Sequence, residues 1–320
     1  MKSIALLVLF IACSVVAFAQ HDSSYYETFR DKLTARVYVS QKFLKFSIPA
    51  SGEATDAEYK ANTNMNLGVG VTWHNISANI FYGVKFLNKD DEKGETKGLD
   101  LQFHVYPKKW AIDLLALFPK GYYMYPKGYA SSNGNSYYYR PDLRLSYAGL
   151  SVLRVPNKEK FSYRAAIVQN EWQKKSAGSL LYGGEIYYGR MKGDSSMIPK
   201  KIEGSFAQAG MNQFNFISFG PCLGYAYTLV IDKHFFVSAS VAGSLDINLS
   251  TEKTGDESRK KTSVSPAAVY KGAIGYNSSN WSLTANACGN ALLIKGSASP
   301  KNYFIPAGVY RIALAKKIKL

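Results

Sequence analysis

The chain reads as a series of short blocks in which apolar and polar residues alternate. From Asn64 to His74, Met65, Leu67, Val69, Val71 and Trp73 fall on one side, and Asn64, Asn66, Gly68, Gly70, Thr72 and His74 on the other. Ile76 to Leu87 repeats the pattern, with Ile80, Tyr82, Val84 and Phe86 against Ser77, Asn79, Gly83 and Lys85. Leu99, Leu101, Phe103 and Val105 oppose Asp100, Gln102, His104 and Tyr106. The most regular block sets Phe235, Val237, Ala239, Val241, Leu245 and Ile247 against Ser238, Ser240, Ser244, Asp246 and Asn248. Successive side chains of a strand point to opposite faces, so this period predicts a sheet with one apolar and one polar face. Further strands are predicted at Leu33 to Ile48, Trp110 to Pro119, Asp142 to Val155, Phe214 to Ile231, Ser263 to Tyr276, Trp281 to Leu293 and Tyr303 to Lys319.

The connections differ by end. They are short at Asn75, Pro107 to Lys109, Asn157 to Lys160, Asp232-Lys233 and Asn277 to Asn280. They are long and polar at Pro49 to Asn62, Lys89 to Lys97, Tyr122 to Tyr139, Met191 to Asn212, Ser250 to Lys261 and Lys295 to Asn302. A periplasmic sandwich would keep its connections short throughout. Short periplasmic turns and long external loops mark an outer-membrane barrel. Trp73, Trp110, Tyr122, Tyr139 and Trp281, at strand ends, suit interfacial aromatic belts. The predicted fold class is therefore all-β, a closed antiparallel transmembrane β-barrel, since backbone groups in lipid must all be paired.

Parity sets the strand number. Counting Phe161 to Arg190 as one net crossing gives about 12 strands, within bounds of about 10–14, and puts every long loop outside. That stretch begins and ends as a strand but far exceeds one crossing, so Gln169 to Ser179 is predicted as a small lumen insertion; an external strand extension is the alternative. Glu171 and Lys175 have helical spacing, and Gly178 suits a helix end. Glu171, Trp172, Lys174, Lys175, Ser176 and Ser179 are the candidate plug residues. Asp100, His104, Asp113, Arg164, Glu185 and Asp246 are the candidate polar residues of the inner wall. Lys174 or Lys175 is expected to pair with Asp100, Asp113, Asp246 or Glu185, because an unpaired buried charge is costly.

Targeting and composition bound the setting. Met1-Lys2-Ser3, the apolar run Ile4 to Val16 and Ala17-Phe18-Ala19 read as a signal peptide cleaved after Ala19. The rival is a lipoprotein acylated at Cys13. This divides the chain into 1–19 signal peptide, 20–32 periplasmic lead-in with a short helix at Ser23 to Lys32, and 33–320 barrel. Lys and Arg number 39 against 23 Asp and Glu. At a Gram-negative outer membrane that excess points to lipid and anionic lipopolysaccharide as partners, and excludes nucleic acid. The seven tyrosines from Tyr122 to Tyr139 suit sugar or partner binding, or an aromatic belt continued above the membrane. Oligomeric state has no signature. Cys222 and Cys288 fall on non-neighbouring strands and are read as buried free thiols.

No catalytic constellation emerges. His74, His104 and His234 fall at the short-turn end and His21 in the lead-in, leaving no histidine for an external rim. No spacing matches a metal site and no glycine-rich phosphate loop occurs, so no cofactor, metal or enzymatic activity is expected. The expected function is a porin-like channel or transporter for a small solute, gated by the insertion. The alternative is a structural or surface-binding barrel contacting lipopolysaccharide or a partner. A lumen or lipid-modifying enzyme using His104 is a distant third.

The segments YYETFRDKLTARVYVSQKF, NTNMNLGVGVTW, KGLDLQFHVYPKKWAIDL and FSYRAAIVQNEWQKKSAGSLLYGG resemble an uncharacterised family, domain of unknown function 4421, of exported proteins in Bacteroides-type bacteria. The resemblance spans nearly all of the mature chain. It implies an outer-membrane β-barrel and supplies no activity, substrate or catalytic residue.

Overall fold

A computed structural model describes residues 21–29, 31–73, 76–84, 90–107 and 109–319. The signal-peptide reading of residues 1–19, and those involving His74, Asn75 and Phe86, lie outside the described residues. Among the described residues fifteen antiparallel strands run in chain order. They are β1 Tyr26–Thr28, β2 Lys32–Ile48, β3 Ala57–Lys60, β4 Met65–Trp73, β5 Ile76–Val84, β6 Lys97–Val105, β7 Trp110–Tyr125 and β8 Tyr138–Arg154. After these come β9 Glu171–Gln173, β10 Ala177–Lys192, β11 Gln213–Ile231, β12 Phe235–Thr254, β13 Glu257–Asn277, β14 Trp281–Lys295 and β15 Asn302–Lys319.

The alternation becomes the wall of a barrel. On β12, Val237, Val241, Leu245, Ile247 and Leu249 are exposed outward, while Ser238, Ser240, Ser244, Asp246, Asn248, Ser250 and Glu252 are buried inward. Exposed aliphatic and aromatic side chains girdle the outside, including Leu67, Val69, Val71, Leu99, Leu101, Phe103, Leu223, Leu245 and Ile312. An apolar belt of this extent over a polar interior is the exterior of a membrane barrel, not of a soluble sandwich. Trp73, Trp110 and Trp281 stand on it at the short-turn end, but Tyr122 is wholly buried inside, contrary to its reading as a belt residue. Among the described residues no helix is long and apolar enough to cross a membrane.

The hydrogen-bonded ring closes through ten strands, β2-β3-β7-β8-β10-β11-β12-β13-β14-β15 and back to β2. Three further strands hang from it: β4 pairs with the Thr34 to Gln41 part of β2, β5 pairs with β4, and β6 pairs with β7. The short strand β3 spans from Lys45–Ile48 of β2 to Tyr123–Tyr125 of β7, at the long-loop end. Below it the same interval is filled from one side by β4 and β5 and from the other by β6. Among the described residues no ladder joins β5 to β6.

Three predicted elements differ from the structure. Ser250 to Lys261 is no loop: β12 and β13 continue through it to a two-residue turn at Gly255 and Asp256, where Gly255 has φ of 59°. The lead-in forms strand β1, paired with β9, and not a helix. Phe161 to Val168 is not a strand. Tyr163–Ile167 is a one-turn helix, α1, whose N-cap Ser162 accepts a hydrogen bond from Ala165 N. Tyr163, Ala165 and Ile167 satisfy a period of two, while Tyr163, Ala166 and Ile167 satisfy a helix, so the pattern alone was ambiguous.

Candidate functional site

The residues that leave the wall between β8 and β10 are 155–176, earlier than the predicted 169–179. Ala177, Gly178 and Ser179 already belong to β10, and Glu171 to strand β9, so the predicted helix ending near Gly178 does not form. Helix α1 packs against β13 and β14, and Tyr163 hydrogen-bonds through its hydroxyl to the inward Ser240 at 2.5 Å. Tyr163 stacks on Tyr106 at 5.4 Å, and Asn277 Nδ2 donates to Ala165 O and Glu171 O. Tyr106 and Tyr163 form an apolar cluster with Phe161, Ile167, Phe236 and Val309 inside the short-turn end.

The plug candidates have local partners. Ser162 donates to the Glu171 carboxylate, and Arg164 Nε stands 3.7 Å from it. Trp172 donates to Lys233 O and stacks on His234 at 5.0 Å. Lys174 lies 3.8 Å from Glu27, and Lys175 sits over the Tyr25 ring, so neither reaches Asp100, Asp113, Asp246 or Glu185. The expected pairing is corrected: β1 brings its own acceptor, Glu27, and the residue before it brings the Tyr25 ring. Ser176 joins Val230, and Ser179 accepts from Asn157 N.

The inner-wall candidates divide into clusters. Arg164 belongs to α1 and not to the wall. His104 and Asp113 face each other across the β6–β7 ladder, with Nδ1 2.7 Å from the carboxylate. Lys271 of β13 reaches across the lumen to the other Asp113 oxygen at 2.5 Å. Glu185 accepts from Ser244 and Tyr187, and Asp246 from Ser218. At the long-loop end, Met197, Ile198, Phe206 and Met211 of the β10–β11 connection fold inward onto Phe46, Tyr59, Phe214 and Tyr303. Apolar clusters thus occupy both ends, and the layer between them holds a 30 Å³ cavity beside His104, Asp113, Lys271 and Cys288, room for about one water. Both Cys222 and Cys288 are free and buried.

A larger cavity, 480 Å³, lies at the interrupted part of the wall. It is lined by Asn79 of β5, by both inward (Gln102, His104) and outward (Phe103, Val105) residues of β6, and by Arg36, Arg164 and Arg311. Contact with both faces of one strand means that it runs past that strand's edge. Further along β6, Lys42 of β2 reaches Asp100 at 2.9 Å and lies over the Phe81 ring of β5. Side chains therefore tie β2 to β5 and β6 where, among the described residues, no ladder joins β5 to β6.

Of the chamber's arginines, Arg164 is among the sequence candidates, whereas Arg36 and Arg311 are not. Arg36 alternates with Val37 on β2 and Arg311 with Tyr310 and Ile312 on β15, so their inward direction was legible. Their convergence depends on the β15–β2 closure, which no local pattern encodes. Among the described residues no cluster of His, Cys, Asp and Glu could hold a metal ion.

A family model described as "Domain of unknown function (DUF4421)" matches residues 20–310. Among solved structures the chain is similar to neisserial surface protein A, at 11% identity and a TM-score of 0.24, covering 90% of this chain and 97% of that one. It is also similar to the toluene transporter TodX of Pseudomonas putida, at 7% identity and 0.30, covering 89% of each. A third is Ail, the attachment invasion locus protein of Yersinia pestis, in complex with the heparin analogue sucrose octasulfate, at 8% and 0.20, covering 89% and 99%. Likeness at these values assigns no residue a role. No curated protein matches.

Proposed function

The chain belongs to the domain of unknown function 4421 family, whose description assigns no activity, and from the geometry we propose a transporter that admits a small amphiphile through its wall. The observation that carries this reading is the 480 Å³ chamber lined by both faces of β6 and by Asn79 of β5. Unpaired strand edges are tolerated at membrane depth only where they are buried in protein or line a water-filled cavity, and this reading takes the second. The chamber is such a cavity, and its volume is that of a ligand site.

In this reading the chain is exported, its signal peptide cleaved after Ala19, and inserted in the outer membrane among lipid and lipopolysaccharide. Twelve strands cross the bilayer, β2, β4–β8 and β10–β15, with β3 outside it and the seam between β5 and β6 as the door. Residues 155–176 act as a lumen plug fastened by β1, so the axis is not the route. The filled lumen also favours a second reading, a structural or surface-binding barrel; no feature adds positive evidence of catalysis.

The test uses Asn79→Cys and Gln102→Cys, bridged by a bifunctional maleimide, with a bimane fluorophore on a third cysteine at Val168, another chamber residue. Added dodecyl phosphate should change bimane emission in the unbridged protein and not in the bridged one. Equal responses would remove the lateral route. A planar-bilayer conductance that appears in wild type and rises on deletion of 161–173 would restore the axial channel.

A further inference from the structure

We infer that Arg36 and Arg311 form a clamp for the phosphate head of an amphiphile whose tail leaves through the β5–β6 seam; this rests on the lateral reading above. The two residues face inward from adjacent strands, β2 and β15, and line the same chamber. Arg311 pairs in register with Ser40 and Arg36 with Ala315, so Tyr38 stands between them on β2. The Arg311 guanidinium lies 4.7 Å over the Tyr38 ring. Arg36 is 5% exposed and donates to Thr72 Oγ1. The Nε atoms of both arginines are buried with no hydrogen-bond partner among the described residues.

Neither arginine has a carboxylate partner among the described residues, and the interior acids are taken. Asp113 is held by Lys271 and His104, Asp100 by Lys42, and Glu171 by Ser162 and Arg164. Glu185 and Asp246 accept from Ser244, Tyr187 and Ser218 on the far arc. Buried Arg36 and half-buried Arg311, two neighbouring cations without an anion, repel each other, and Arg36 carries an uncompensated desolvation cost. An entering anion relieves both. A guanidinium donates two parallel hydrogen bonds to oxygens of an oxyanion, and a phosphate has enough oxygens to serve two such forks at once. A carboxylate, with two oxygens, satisfies one. The apolar side of the opening is supplied by Phe103 and Val105 of β6, which are exposed on the outer face. Head and tail requirements meet at one place.

The test measures binding of dodecyl phosphate to the full barrel in a neutral maltoside detergent, with inorganic phosphate and dodecanol as further probes. Arg36→Gln and Arg311→Gln should each weaken dodecyl phosphate about tenfold or more, the loss of a charge-assisted bidentate contact. Arg36→Lys and Arg311→Lys should retain part of the affinity. The Gln variants should melt no lower than wild type, because removing an uncompensated charge does not harm the empty barrel; lower melting would mark the arginines as structural and overturn the clamp. Dodecanol binding should be unchanged by either substitution. Inorganic phosphate should compete weakly; if it binds as tightly as dodecyl phosphate, the ligand is free phosphate and the amphiphile is overturned. The bridged seam separates the two readings. Loss of dodecyl phosphate on bridging, with no effect of the Arg→Gln changes, would sink the clamp and keep the lateral route. Loss in the Arg→Gln variants, with none on bridging, would keep the clamp and sink the route.

Discussion

From β8 round to β15 the wall is held by backbone, each strand laddered to both neighbours along most of its length. Between β2 and β7, below β3, side chains take over part of that work: Lys42 reaches Asp100 and Phe81 where, among the described residues, no ladder joins β5 to β6. The apolar and polar alternation is as clean on β6 as on β12. What differs is strand length and the inward residue. β4, β5 and β6 have nine residues each, against 16 to 21 for β10 to β13. Nine tilted residues are about the minimum for a membrane span, so these strands stop short of β3. The inward side of β4 carries Gly68 and Gly70, whereas β12 lines the lumen with Ser, Asp, Asn and Glu. Short strands leave room for a chamber, and Gly68 admits the Tyr38 ring on which Arg311 rests; long strands and hydrogen-bonding side chains fill the lumen.

The comparison breaks at predictable places. The largest effect belongs to the ion cluster that crosses the lumen. Asp113→Ala strands Lys271 and should cost about 3–5 kcal/mol in urea unfolding of the refolded barrel, whereas Asp113→Leu with Lys271→Met should recover most of it. Next comes the chamber wall. A Cβ at Gly68 would lie 2.3 Å from the Tyr38 ring, so Gly68→Val should cost about 1–3 kcal/mol and disturb Arg311, which rests on that ring. Gly272→Ala on β13 meets nothing within 4 Å and should shift stability by no more than about 0.5 kcal/mol. Ser162→Ala removes the cap of α1 and should cost about 1 kcal/mol, read as faster proteolysis near Arg164. Asp100→Asn should cost under about 1 kcal/mol, because the pair is partly exposed. It should still raise the rate at which a maleimide labels Asn79→Cys, since it unties β6 from β2.

Much of this architecture was legible in the sequence, and the reason is local. Which face a residue takes follows from its immediate neighbours, so Leu245, Asp246 and Ile247 announce their directions, as do Asp100, Gln102 and His104. The unequal connections marked both ends of the barrel. Partnership is not local. His104 and Asp113 could be paired because a tight turn joins their strands, but Lys271 arrives from 158 residues away. The partners of Lys174 and Lys175, Glu27 of β1 and Tyr25 just before it, lie in a lead-in that carried no strand signature of its own. The Arg36–Arg311 pair needs the first long strand to meet the last one, a fact of closure.

The central claim is that the wall is interrupted between β5 and β6 and that water reaches the interruption. Amide hydrogen exchange on the barrel in lipid nanodiscs tests it directly. The account predicts that amides of 79–84 and of 97–105 that face the seam exchange within minutes, while those of β12 and β13 at the same depth stay protected for hours. Equal protection of β5, β6, β12 and β13 would mean a continuous ladder around the barrel, and would contradict both the chamber and everything proposed to enter it.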